Sequence, residues 1–458
     1  MRLEDCTDRT SPVDFWADRN AIFVANILNL FFGNEEETQM LREEVGELPS
    51  YGGRLIPMLD LVYAGPEKNL LVLERAPDPA LIDYFGETME LSLPDFVIGP
   101  HPELLEFADS GRKDYSWIER MEQHAAHRLD GYVTDDALVK LAAATGKPGT
   151  FASMAGSRDG NNKGMLHDHL VSQGLPTPPT EKAESPEEVL AALKSLAAQD
   201  FRAAVVKAPL GASGIGLIKV RSIEDDGDEV AASVPKHFMR EGPCMVQGWL
   251  EPGRDGIERI HSPSIQLFLD NERVVLFDVT EQILSDDSVH EGNESPPPYL
   301  NAPGGEERLQ ELARQAKVAG TWLHERGYRG TASVDFLLTE KAGGDFDAYV
   351  CEINARTTGA TYPSVLARHL LPEGAWLLRN LRFTEPTRGV ELLGRLRVSG
   401  HLFRRGVTER GVFPVNFNVD PEGLVQKGQF LCLAPRDGAS RTLMELAKLD
   451  LPCLPDRD

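Results

Sequence analysis

A lysine followed by a glycine-rich loop is the first feature of this chain that could carry chemistry. The stretch VVKAPLGASGIGLIKV places Lys207 in an apolar, strand-like run and continues into a loop that contains Gly211, Ser213, Gly214 and Gly216. Glycines allow a backbone to approach a ligand closely, and successive backbone N–H groups can cradle anionic oxygens. A second strand follows the loop, which excludes the GK[ST] phosphate loop and the dinucleotide fingerprint. We predict a flap over phosphates; the alternative is a surface lysine on a strand.

Two carboxylates, an amide and a guanidinium lie in two later strand-like segments. In YVCEINAR, strand alternation places Glu352, Asn354 and Arg356 on one face, and ASVDFLLT supplies Asp335 nearby. Mg²⁺ typically takes one or two carboxylates and completes its shell with phosphate oxygens and water. We therefore predict a Mg²⁺ site at Asp335, Glu352 and Asn354; an ordinary salt-bridged cluster is the alternative. Arg356 can bind phosphate or carboxylate oxygens in a bidentate manner and stabilise charge during phosphoryl transfer.

A third segment could hold the base of a nucleotide. CMVQGWLEP is an apolar strand that runs into a bend with an acid behind it. We interpret it as a hinge whose backbone meets an adenine edge, with Gln247, Leu250 and Glu251 as the candidate residues and Glu251 near the ribose. The alternative is a plain strand end.

These residues need a scaffold. Composition and hydrophobic pattern divide the chain into three segments. Strand-like and helical patterns alternate over residues 1–150, which predicts a small α/β domain with a parallel sheet. A Gly-, Ser- and Asn-rich stretch then marks a boundary, and residues 151–380 carry every candidate residue. Short runs in RLRVSGHLFRR, VFPVNFNVD and LVQKGQFLCLA predict a small β-rich tail over 381–458. The segment 285–307 is polar and rich in proline, and we predict a loop there.

The bulk composition excludes several classes of function. The chain has 458 residues, enough for two or three domains, and its 47 basic and 72 acidic residues give a net charge of −25. Such a charge repels nucleic acid and anionic lipid, so neither is expected as a partner. The five cysteines show no CxxC spacing, and the start of the chain lacks the apolar run of a signal peptide. No stretch reaches the ~18–20 apolar residues of a membrane span. We predict a cytoplasmic protein.

Taken in this order, the motifs resemble the ATP-grasp superfamily over residues 155–370. The resemblance rests on Lys163 before a helix ending in GLPTP, and on VVKAPLGASGIGL, VQGWL, SVDFLL and CEINART. It implies that ATP sits between two α+β subdomains, that Lys163 and Lys207 contact its phosphates, and that loop 211–216 closes over them. It also implies that the two acids and the asparagine hold Mg²⁺ and that Arg356 contacts phosphate or an acyl-phosphate.

A narrower resemblance extends to both ends of the chain. NILNLFFGNEEE, LPSYGGRLIPMLD and LLVLERAPDPALIDYFGETMELSLP look like a pre-ATP-grasp domain, and RTTGATYPSVLARHL with the β-rich tail is similar to the pheganomycin-type peptide ligases. The implied fold is a pre-ATP-grasp α/β domain, a two-subdomain ATP-grasp fold and a small β-rich tail. One position departs from the pattern: many ATP-grasp ligases carry an arginine where this chain has Ser333. A second cation for an acyl-phosphate must therefore come from elsewhere or be absent.

The resemblance implies an ATP-dependent carboxylate–amine ligase that forms an amide through an acyl-phosphate. Its partners would be a small carboxylate and the amine of an amino acid or peptide, in natural-product biosynthesis, with a homodimer as a family-level expectation. Two alternatives stay open. One is an ATP-grasp phosphotransferase, whose acceptor keeps the phosphate. The other is a non-catalytic ATP-binding protein, against which the complete set of candidate residues argues.

Overall fold

The fold was determined as a computed structural model that describes residues 19–44, 51–212, 214–284, 290–436 and 439–454. Ser213 of the predicted flap lies outside the described residues. Within them, no helix combines the length and apolar character needed to cross a membrane.

The first segment forms a four-stranded parallel sheet, as its alternating pattern predicted. The strands lie in the order β3-β2-β1-β4 and comprise β1 Ala21–Val24, β2 Leu70–Leu73, β3 Asp95–Ile98 and β4 Arg128–Gly131. The central strands β1 and β2 are buried throughout and almost wholly apolar, because helices cover both faces of a parallel sheet. The helices of this segment are Glu35–Glu44, Leu59–Val62, Pro79–Asp83, His101–Ser110, Ser116–Gln123 and Asp136–Ala144.

A small antiparallel sheet carries the predicted flap and hinge. Its order is β5-β8-β6-β7, with β5 Thr180–Ala183, β6 Ala204–Ala212, β7 Ile215–Val220 and β8 Cys244–Gly248. The helices before and within this segment are Met154–Gly160, Lys163–Ser172, Pro186–Ala197 and Ile223–Ser233. Ser185 caps the third of these helices by accepting a hydrogen bond from the Glu188 backbone N–H, which satisfies one of the unpaired donors at its start.

A nine-stranded sheet forms the rest of the scaffold. Eight strands follow the order β14-β13-β10-β11-β12-β15-β17-β16, and β9 pairs with β13. Their bounds are β9 Ile257–His261, β10 Pro263–Leu269, β11 Val274–Leu284, β12 His290–Ser295, β13 Gly330–Lys341, β14 Phe346–Asn354, β15 Ala375–Arg388, β16 Gly411–Val419 and β17 Leu424–Ala434. The helices here are Gly305–Glu325, Thr361–Leu370, Gly389–Val398 and Ala439–Asp450.

Two element predictions in this part of the chain were wrong. The segment 285–307, predicted as a loop, contains β12, which pairs with β11 and β15. Its composition is polar because its buried side chains bond to neighbours, as Ser295 does to Asp278 at 3.0 Å. The run RLRV, predicted as a strand, ends the helix Gly389–Val398, whose buried leucines recur with helical spacing.

Strand β15 connects the second and third predicted segments. It runs through the predicted boundary between residues 380 and 381 and pairs with β12 on one side and β17 on the other. The largest hydrophobic core also crosses segments, because it joins Phe23 and Tyr63 of the first segment to Phe413 and Leu431 of the last. The first segment therefore packs directly on the C-terminal strands.

Candidate active site

The two predicted metal acids meet on neighbouring strands. Asp335 on β13 lies opposite Glu352 on β14, at a point where the register of the pair shifts. The Asn354 amide nitrogen donates to Asp335 Oδ2 at 2.8 Å and lies 3.4 Å from Glu352 Oε1. Burial and the charge of Glu352 raise the pKa of Asp335 to about 6. Burial also raises the pKa of Glu352, but the charges of Lys163, Arg356 and Lys207 and the hydrogen bond from Lys163 together leave that pKa lowered.

The donor set fits a hard cation. Four carboxylate oxygens and one amide converge here, and oxygen ligands are what Mg²⁺ prefers. The Asn354 side chain presents its nitrogen to the acids. A ligand role requires this amide to turn over so that its oxygen faces the ion, a change that exchanges two atoms of nearly equal size.

Sequence reasoning missed the hydroxyl and amide groups that hold Asp335. Ser264 on β10 and Ser333 donate to Asp335 Oδ1 at 2.6 and 3.2 Å. Gln266, which is 1% exposed, donates to Ser264 at 3.0 Å and accepts from Thr358 and Thr361, both at 3.2 Å. The period-two alternation of PSIQLFL was the signal that could have found them, because it places Ser264 and Gln266 on one strand face.

Lys163 links the acids to the flap. Its Nζ lies 2.8 Å from Glu352 Oε2 and donates to the Gly211 carbonyl at 3.1 Å. The preceding Asn162 accepts from the Met165 N–H and so starts the helix at Lys163. One cation thus bridges β14 and the glycine loop, which belong to different sheets.

Lys207 lies on β6 beside the predicted hinge. Its Nζ donates to Gln247 Oε1 at 2.8 Å, and Gln247 in turn donates to Thr180 Oγ1 at 2.8 Å. Burial lowers the pKa of Lys207, and the charge of Glu352 opposes that shift. Leu250 follows β8 and packs against the core of this sheet, with the half-buried Glu251 next to it.

Arg356 is positioned by a residue from a distant part of the chain. Its Nη1 donates to Asn161 Oδ1 at 2.6 Å. The same oxygen accepts from the Ala355 N–H at 3.2 Å, while the Asn161 amide donates to the Ser157 carbonyl at 2.7 Å. Asn161 therefore fixes the backbone at Ala355 and the direction of the Arg356 guanidinium, directly after the predicted metal ligands. Sequence analysis assigned no role to this asparagine.

The flap rests on the first segment through Glu37. Gly214 and Gly216 adopt φ of +84° and +78°, which L side chains rarely take. A Cβ at Gly216 would lie 3.1 Å from Glu37 Oε1, and this buried oxygen has no hydrogen-bond partner among the residues that the structure describes. Burial raises the pKa of Glu37 to about 7, partly offset by the charge of Lys163. No local sequence signal marks Glu37, because the contact exists only in the folded chain.

The arrangement as a whole can bind a polyanion together with a cation. Lys163 and Lys207 face the pair of acids, and a glycine-rich hairpin lies beside them. Lysines balance phosphate charge, and the acids balance a divalent ion.

Comparison with curated proteins finds a relative that covers two thirds of the chain, and no family model matches. The chain is 25% identical over 317 residues to the "[Butirosin acyl-carrier protein]--L-glutamate ligase" of Niallia circulans, which covers 67% of each chain.

Several solved structures share the fold. N5-carboxyaminoimidazole synthetase from Staphylococcus aureus, complexed with ADP, is 12% identical with a TM-score of 0.53 and covers 95% of this chain and 98% of its own. The Aspergillus clavatus N5-carboxyaminoimidazole synthase, complexed with ADP and an aminoimidazole ribonucleotide, is 13% identical with a TM-score of 0.55. The match covers 94% of this chain and 100% of the synthase. A biotin carboxylase–beta-gamma-ATP complex from Campylobacter jejuni is 14% identical with a TM-score of 0.57. The match covers 96% of this chain and 92% of the carboxylase.

Proposed function

We propose, from the ATP-grasp fold and ligase relationship of this chain, that it is an ATP-dependent carboxylate–amine ligase. The observation that carries the proposal is the placement of Lys163, whose Nζ contacts both Glu352 of the acid pair and the Gly211 carbonyl of the flap. These two contacts bring a cation, the acid pair and the glycine loop together, and phosphate chemistry requires all three.

In this proposal ATP lies between the small antiparallel sheet and the nine-stranded sheet. Lys163 and Lys207 bind its phosphates, and the flap, including Ser213, Gly214 and Gly216, covers them. The adenine and ribose lie along the hinge, at Gln247, Leu250 and Glu251. Asp335, Glu352 and Asn354 would hold Mg²⁺, which supplies positive charge that polarises the phosphoryl oxygens.

The reaction has two steps. An oxygen of the substrate carboxylate attacks the γ-phosphorus, the bond to the β,γ-bridging oxygen breaks, and an acyl-phosphate and ADP result. A neutral amine then attacks the acyl carbon, a C–N bond forms, inorganic phosphate leaves, and the amine loses a proton. Lys207 and Arg356 stabilise charge that develops in the first step. The flap excludes water, which would otherwise hydrolyse the acyl-phosphate.

The butirosin relative supports a ligase that joins an amino acid to an acceptor, since its name describes the ligation of L-glutamate to an acyl-carrier protein. It also supports a role in natural-product biosynthesis, with a small carboxylate and an amino-acid or peptide amine as substrates. The structural neighbours include carboxylating enzymes, so the acceptor chemistry has to be tested directly. A phosphotransferase and a non-catalytic ATP-binding protein are the competing functions.

Trapping with hydroxylamine tests the proposal. Wild-type protein, ATP and Mg²⁺ are incubated with pooled amino acids and short peptides as carboxylate donors, and with Glu352→Ala as the control. We expect ADP, phosphate and an acyl-hydroxamate from the wild type and none from the variant, because hydroxylamine intercepts an acyl-phosphate. ADP with a stable phosphorylated product would instead identify a phosphotransferase. Nucleotide binding without turnover for any donor would identify a non-catalytic protein.

The flap itself gives a second prediction, on Gly216→Ala. The new Cβ would lie 3.0 Å from the Leu210 carbonyl and 3.1 Å from Glu37 Oε1, so the flap could not settle in its present position. We expect the KM for ATP to rise about tenfold, because closure accompanies nucleotide binding. Steady-state ADP release measures it.

Gly214→Ala is the matched control for this prediction. Gly214 shares the positive φ, so both variants carry similar backbone strain, but a Cβ there meets nothing within 4 Å. Equal KM values for the two variants would show that the contact with Glu37 and Leu210 is irrelevant to nucleotide binding.

A further inference from the structure

Glu37 is a buried carboxylate of the first segment that faces the glycine-rich flap. It lies in the first turn of the helix Glu35–Glu44 and is 1% exposed. The helix packs against β7, the strand that contains Gly216. A Cβ at Gly216 would lie 3.1 Å from Glu37 Oε1 and 3.0 Å from the Leu210 carbonyl oxygen. The carboxylate therefore lies against the backbone of the flap.

Among the described residues, the flap offers this oxygen no hydrogen-bond donor, since Glu37 Oε1 is buried and has no partner there. The other atoms around the Gly216 Cβ position are the Leu210 carbonyl oxygen and the Ala208 methyl group, and neither can donate. A charged carboxylate is costly to bury without donors. A neutral carboxyl group carries a donor of its own, which a carbonyl oxygen can accept. The docked flap therefore favours the neutral form of Glu37.

The charges around Glu37 act on it in both directions. Burial raises the pKa of its carboxyl group to about 7, and the charge of Lys163 is the main influence that lowers it. Glu241 and the neighbouring Glu36 raise that pKa further, and Arg240 lowers it. The described contacts of Lys163 Nζ go to the acid pair and to the flap. Lys163 therefore acts on Glu37 through its charge, and the effect of burial remains the larger one.

We propose that Glu37 is a positioning residue for the flap, whose neutral carboxyl group holds the flap against the first segment and whose ionised form releases it. This inference rests on the proposed function, because the flap is the lid that covers the phosphates of ATP. It adds to that function a proton, exchanged with solvent, that sets how firmly the lid is docked. No covalent bond changes other than the one between this proton and the carboxyl oxygen.

The direction of the pH dependence follows from the two states of the flap. When the flap is undocked, Glu37 meets water and titrates near its ordinary pKa of 4.5, and when the flap is docked, burial raises that pKa to about 7. The docked state thus binds the proton more tightly. Docking is therefore strongest below pH 4.5, weakens as the pH rises to about 7, and changes no further above that pH.

Hydrogen exchange at the flap tests the inference without nucleotide or turnover. Glu37→Gln keeps the size of the side chain and a donor but does not titrate, so it imitates the neutral carboxyl group at every pH. Glu43→Gln is the matched control, because Glu43 is an exposed acid of the same helix. Exchange is followed by mass spectrometry at pH 5, 6, 7 and 8 in peptides that cover residues 208–220, with peptides from β1 and β2 as the measure of folding.

Each variant is compared with the wild type at the same pH, so intrinsic exchange rates and the titration of other buried acids cancel. Protection of the flap in Glu37→Gln relative to the wild type should increase at least about tenfold between pH 5 and pH 8, while Glu43→Gln follows the wild type. A ratio that stays constant, or a wild-type flap that is better protected than that of Glu37→Gln at pH 8, overturns the inference. Hydroxamate formation is scored separately, so a ligase whose flap ignores Glu37 is distinguishable from a protein that is not a ligase.

Discussion

Asp335→Asn is expected to lower acyl-hydroxamate formation about a thousandfold and to raise the melting temperature of the metal-free protein. The substitution keeps the shape of the side chain and its acceptor for Ser264 and Ser333, and the Asn354 amide must turn over so that its oxygen accepts from the new amide. It removes one of two negative charges that face each other across β13 and β14. The rate falls because one charged ligand of the proposed cation is lost. Stability rises because repulsion between neighbouring buried carboxylates is relieved. Single-turnover trapping and thermal melts in EDTA measure the two effects.

Asp347→Asn is the control for this variant. Asp347 also belongs to β14, but its side chain is 38% exposed and pairs with Lys341 at 2.7 Å, away from the acid pair. It should change neither the rate nor the melting temperature by much, since exposed ion pairs contribute little. If Asp335→Asn kept more than a tenth of the wild-type rate, Asp335 would not be a metal ligand.

Arg356→Lys is expected to slow the first chemical step by about a hundredfold while nucleotide binding stays within about twofold. Lysine keeps the positive charge but loses the planar guanidinium, which now donates to Asn161 at 2.6 Å and can bind two oxygens at once. The charge that develops on the phosphoryl group would then meet a less well oriented cation. Rapid-quench measurement of acyl-phosphate formation and fluorescence titration with ADP separate the two quantities.

Arg326→Lys serves as the control for Arg356→Lys. Arg326 pairs with Asp159 at 2.8 Å at the surface, so its replacement tests only the general effect of exchanging an arginine for a lysine. A rate for Arg356→Lys equal to that of this control would mean that the guanidinium acts in folding or binding and not in phosphoryl transfer.

The acid pair was predictable because its information is local. Alternation within YVCEINAR placed Glu352 and Asn354 on one face, and the structure brings both to Asp335. The partners that orient these residues were not predictable in the same way. Asn161 contacts Arg356 across 195 positions, and Glu37 reaches the flap from another segment. Such contacts depend on how sheets and helices pack, which periodicity in a single segment does not encode.

The fold, like the site, was predictable where the sequence pattern is local and not where it depends on distant partners. Buried apolar runs identified the parallel sheet, because β1 and β2 are covered on both faces. The polar strand β12 was read as a loop, because the hydrogen bonds that compensate its buried side chains come from residues elsewhere in the sheet, among them Asp278. Polarity in a sequence therefore predicts exposure only where no internal partner exists.

The continuity of β15 fixes the distance between the acid pair and the C-terminal strands. Because β15 pairs with β12 and β17, Asp335 on β13 and strand β17 lie five strand positions apart in one sheet. At about 4.8 Å between strands, these five spacings add up to about 24 Å across the sheet, the length of roughly seven extended residues. Movements of the flap do not alter this distance, since the flap belongs to another sheet. The C-terminal strands therefore keep their spacing from the acid pair in every position that the flap adopts.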